Sequence, residues 1–153
     1  MGPRASLLVL SLLAVLPQAA LAQLSEEDSK AVASYPLSME KVEKAMKASI
    51  ALQRLLRNEP SVAHDLEARD LGDQVHRFEG SSKVQDTLKP FGIGARDFCY
   101  TMKALAMARM AAMMPPTLPH PAASGDHIKF YREHKEEIEK LEEDAAEPRT
   151  PGS

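Results

Sequence analysis

From residue 39 onward the apolar positions recur at helical spacing and nowhere alternate along a run, so the pattern predicts helices and no strands. The first long helix is expected over Met39–Arg57. Val42, Met46, Ser49, Ile50, Gln53 and Leu56 form its buried stripe, and Glu40, Lys44, Lys47 and Arg54 its wet side. Ser38 is its N-cap, and Asn58 followed by Pro60 stops it. Ahead of it, Gln23–Pro36 is a polar leader able to carry a short helix, with Ser25 as cap and Tyr35-Pro36 as its end. Val62, Leu66, Leu71, Val75 and Phe78 suggest one or two short helices, broken near Asp70–Gly72. Another is expected over Ser82–Lys89, capped by Ser81 or Ser82, with Val84 and Leu88 facing inward. Pro90–Gly94 reads as a tight connector.

The segment from Ala95 to Met114, ARDFCYTMKALAMARMAAMM, is apolar on nearly every side. A helix of that kind must be surrounded by other helices. Its alanines let neighbouring backbones come close. Arg109 falls on the Phe98–Leu105 face, so it meets a carboxylate or snorkels to water. Pro115–Pro121 stops this helix and makes a stiff loop. A last helix is expected over Asp126–Asp144, capped by Ser124 or Asp126, with Ile128, Tyr131, Ile138 and Leu141 as a narrow apolar stripe. Residues 145–153 read as a disordered tail. The expected fold is all-α: an irregular bundle of four to six helices around a central apolar helix at about 95–114.

The first residues follow a different rule. Arg4, the apolar run Leu7–Leu16, Pro17 and then Ala20-Leu21-Ala22 make the three parts of a secretory signal peptide. The run is about half of what a helix needs to cross a bilayer. Residues 1–22 are therefore expected to be removed near Ala22-Gln23. A single helical domain at 23–144 is left, in the periplasm or secreted, with no membrane span after cleavage.

Charge narrows the partners. The whole chain carries a formal −3, and removing Arg4 makes the mature protein one unit more negative. Nucleic-acid binding needs a basic footprint and is not expected. Cys99 is the single cysteine, so no internal disulfide can form and the core alone must hold the domain. Flanked by Phe98 and Tyr100, Cys99 is expected to be buried.

Candidate chemistry is sparse. Met102, Met107, Met110, Met113 and Met114 crowd the central helix, and Met107, Met110 and Met113 form M-x-x-M-x-x-M. Thioethers suit Cu(I), and His120 in the following loop could add a ligand. The competing role is plastic core packing. Successive steps of three residues turn by about 60°, so three sulfurs fan out rather than converge. His64, His76, His120, His127 and His134 show neither H-E-x-x-H nor zinc spacing, and no C-x-x-C-H is present for haem. G-x-S-x-G and P-loop motifs are absent too. No catalytic residue and no cofactor is expected.

The stretch VQDTLKPFGIGARDF at 84–98 and the alanine-rich helix after it resemble small exported bacterial helical proteins of unassigned function. Tyr35-Pro36-Leu37, Gly92 to Phe98, and Phe130 to Ile138 carry the resemblance, with Gly94 standing where those proteins often have Thr or Ser. The resemblance implies an envelope or secreted location and supplies no activity. Together these readings favour a non-enzymatic exported protein acting on a protein partner or an apolar small molecule. A Cu(I)-type envelope metal binder using Met107, Met110, Met113 and His120 is the alternative.

Overall fold

The computed structural model describes residues 24–115 and 123–146. Within them the chain forms eight α-helices, one 3-10 turn and no strand. The expected signal peptide, most of the proline-rich loop and residues 147–153 lie outside the described residues.

Helix α1 (Glu26–Ser34) starts where Ser25 Oγ accepts from the Asp28 amide at 3.0 Å, with three acidic residues in its first turn. Both features satisfy or offset the unpaired amides of a helix start. Tyr35-Pro36 ends it. Helix α2 (Met39–Asn58) opens on Ser38, whose side chain accepts from Lys41 N at 3.3 Å. Pro60, at the start of α3 (Pro60–Asp65), lacks an amide and fits a first turn. Asp70 caps α4 (Leu71–Gly80) through Asp73 N at 2.8 Å, and Ser81 caps α5 (Ser82–Leu88). A 3-10 turn (Lys89–Phe91) leads to Gly92, whose φ of 66° is the one position here that asks for glycine's freedom. Then come α6 (Ala95–Met113), α7 (Gly125–Glu133, capped by Ser124) and α8 (Lys135–Ala146).

The helix number exceeds the expected four to six, through the larger of the two numbers expected for one region and through one departure from the sequence pattern. The region 61–79 resolves into two helices, because Asp70 caps a new start after Leu66. The final helix, read as one, is two: its hydrogen-bond ladder breaks at His134, where φ is −109° and ψ is 13°. The break lets both Tyr131 and Ile138 be buried, each from its own helix. The chain also stays helical to Ala146, two residues into the expected tail.

Helix α6 is the centre. It packs against α1, α2, α4, α5 and α7, and every residue from Phe98 to Leu105 is buried. Helix α2 is the second pillar, touching α3, α5, α6 and α8. Its buried face is Val42, Ala45, Met46, Ala48, Ser49 and Leu52, whereas Ile50, Gln53 and Leu56 are only half-buried. The stripe is turned toward the small residues. Ala45 and Ala48 on α2, and Ala104 and Ala108 on α6, are all fully enclosed, which suits two pillars in close contact.

Candidate functional site

The methionines of α6 do not share one environment. Met102 is buried, Met107 is half-buried against the core, Met110 is 48% exposed and Met113 71% exposed. Exposure grows along the M-x-x-M-x-x-M series because each step of three residues rotates the side chain further from the core. Met107 therefore serves packing, while Met110 and Met113 present two neighbouring thioethers to water. They are the large apolar side chains that stand exposed among the described residues. His120 lies outside the described residues. Among those residues, no group of three or more His, Cys, Asp or Glu side chains is placed to hold a metal ion.

A single helix over Asp126–Asp144 would carry both His127 and His134. Instead His127 belongs to α7 and His134 marks the break before α8. His127 is 5% exposed, and its Nε2 lies 2.5 Å from the Tyr35 carbonyl oxygen. A carbonyl can only accept, so Nε2 carries the proton and donates. Nδ1 of His127 is buried without a partner. His134 rests on the Phe130 ring, with centroids 4.7 Å apart. His64 and His76 are exposed.

Tyr35 gathers four elements at one point. Its hydroxyl donates to Asp97 Oδ1 at 2.5 Å and accepts from Thr101 Oγ1 at 3.4 Å, both on α6. Its carbonyl accepts a hydrogen bond from His127 Nε2 of α7, and Lys41 Nζ of α2 sits 4.5 Å from its ring centre. Burial first, and the Asp97 hydrogen bond second, push the Tyr35 hydroxyl up to about 12, so it remains a donor. The cluster is a clamp on the α1–α2 elbow. Asp97 is exposed, so Tyr35→Phe is expected to cost about 1 kcal/mol. Urea denaturation checks this: no change in midpoint would mean that the hydroxyl exchanges freely with water.

Cys99 is 4% exposed, and burial, with Glu79 adding to it, holds its thiol well above the usual range. A protonated, enclosed thiol is neither nucleophile nor ligand. Ellman's reagent is expected to leave the native protein unmodified and to react with one thiol after denaturation. Rapid native reaction would contradict this packing.

Two further charges lie inside. Arg109 Nη1 donates to Glu142 Oε1 at 2.6 Å, which answers what its apolar face left open. Glu142 is buried, and burial outweighs Arg109 to hold its carboxyl above the ordinary carboxylate range. Lys103 is buried as well, and burial pulls its pKa down against the opposing pull of Asp28.

A groove that the sequence did not reveal runs between α3, α4 and the start of α5, with a volume of about 660 Å³. The only trace of it in the pattern is Gly80, a glycine inside a helical stretch. No family model, curated protein or solved structure matches the chain.

Proposed function

We propose that the protein is exported by residues 1–22, is cleaved near Ala22-Gln23, and works in the periplasm or outside the cell as a non-enzymatic binding protein. Met110 and Met113 are the centre of its contact surface. The observation behind this reading is their exposure, at 48% and 71%, at the C-terminal end of a helix whose stretch Phe98–Leu105 is buried. Two unbranched thioether side chains side by side adapt to a partner surface at little cost. Adjacent exposed apolar groups gain by being covered. The occupant is a protein partner; no helix among the described residues is long and apolar enough to cross a membrane.

A photocrosslinking residue placed at Met113 tests this in the producing cell, with exposed Arg132 as control. A discrete adduct from position 113 and none from 132 is expected. Equal adducts, or none from either, would remove the reading.

Cu(I) capture is the second reading, supported by the two exposed thioethers three residues apart. It expects one Cu(I) per chain, lost in Met110→Leu/Met113→Leu, whereas the apolar contact would survive that substitution.

A further inference from the structure

The groove of about 660 Å³ lies in the size range of small-molecule sites, and buried Val62 and Leu66 line it together with polar groups. Arg77 reaches across it. Its Nε donates to Asp73 Oδ2 and its Nη1 to the Asp65 carbonyl oxygen, each at 3.1 Å. A guanidinium has five N–H groups, so most of its donors remain, and the side chain is 38% exposed. The bond to its backbone holds Asp65 beside this cation. Yet the Asp65 carboxylate takes part in no hydrogen bond or ion pair among the described residues. Both residues line the groove, one with an unpaired carboxylate and the other with spare donors. Of the other ionisable groups lining the groove, Asp73 is engaged with Arg77 and the Arg69 amide and Lys83 with Glu59, while His76 is exposed.

Gly80 adds an independent observation. It closes α4 on the groove wall, its φ is not in the left-handed region, and a Cβ added there would meet nothing within 4 Å. A helical glycine is less stable than alanine. Neither backbone conformation nor crowding asks for glycine here, and a side chain added at this point of the groove wall would have open space.

We infer that the groove binds a zwitterionic α-amino acid with an aliphatic side chain. The ligand's ammonium faces Asp65, its carboxylate meets the spare donors of Arg77, and its side chain covers Val62 and Leu66. A ligand carrying only a carboxylate brings its charge against Asp65, and one carrying only an ammonium brings its charge against Arg77. The zwitterion alone answers both. The site is separate from the methionine surface and does not depend on it.

The test is a titration of the ¹⁵N-labelled protein with L-leucine, N-acetyl-L-leucine and L-leucinamide, followed by amide chemical shifts. L-Leucine is expected to give saturable shifts concentrated at residues 61–66 and 76–83, with the two half-charged analogues at least about tenfold weaker. Asp65→Asn is expected to weaken leucine binding about tenfold at an unchanged thermal midpoint, because its carboxylate holds nothing in the protein. Gly80→Leu adds bulk to the groove wall and is expected to weaken the shifts without lowering the midpoint. Absence of saturable shifts with L-leucine up to about 20 mM overturns the inference. Equal binding of N-acetyl-L-leucine, or parental binding by Asp65→Asn, does so as well.

Discussion

Arg109→Met is expected to cost about 3 kcal/mol of stability at pH 7. The reason is the asymmetry of the pair. Glu142 is 4% exposed and Arg109 19%, so the carboxylate depends on its partner and the guanidinium can still reach water. Removing the arginine strands a buried charge. Removing the carboxylate does not, and Glu142→Gln keeps a hydrogen-bond acceptor, so that variant is expected within about 1 kcal/mol of the parent. Arg109→Met/Glu142→Leu, which removes both charges, is expected to recover most of the loss.

The pH dependence follows from the same pair. Burial already raises the Glu142 carboxyl, and Arg109 is what opposes it, through charge and through the hydrogen bond. Without Arg109 the native pKa rises further above its unfolded value. Such a group adds stability below the unfolded pKa and loses it as pH rises through the native one. The deficit of Arg109→Met should therefore shrink as pH falls from 7 toward about 5. Urea midpoints of the four proteins across that range check the prediction. A flat deficit below about 1 kcal/mol would place the pair effectively in water.

Phe98→Ala is expected to cost about 4 kcal/mol. Phe98 is 1% exposed on α6 and stacks on Phe78 of α4, with ring centres 6.2 Å apart. Truncation removes the transfer energy of the ring and leaves a hole between two helices. Rigid helices on several sides of α6 limit how far the site can collapse. Phe98→Leu keeps most of the volume and is expected to cost about 1.5 kcal/mol. Calorimetry of the two variants separates the cases. Equal small losses would show that the core around α6 relaxes freely.

Local signals carried far along this chain. Ser25, Ser38, Ser81 and Ser124 start helices because a side-chain oxygen three residues before an unpaired amide is enough to cap it. Pro36, Pro60 and Gly92 end or turn segments for equally local reasons. The burial of α6 was legible too, since a helix without a polar side has no face to give to water. Cys99 followed from its place in that helix.

What the sequence by itself determined, then, is helices and no strand among the described residues, most of their starts and stops, and the helix at the centre. These depend on neighbours within a turn or two. The tertiary structure alone decided the rest. It turned α2 toward its alanines, split the last helix at His134, and paired Arg109 with Glu142 across 33 positions. It also drew Tyr35 to Asp97 and His127, and opened a groove beside Arg77 and Gly80. Each of these joins residues far apart in the chain, and periodicity carries no information about which distant partner a side chain meets. Close packing around α6, not local preference, makes those choices.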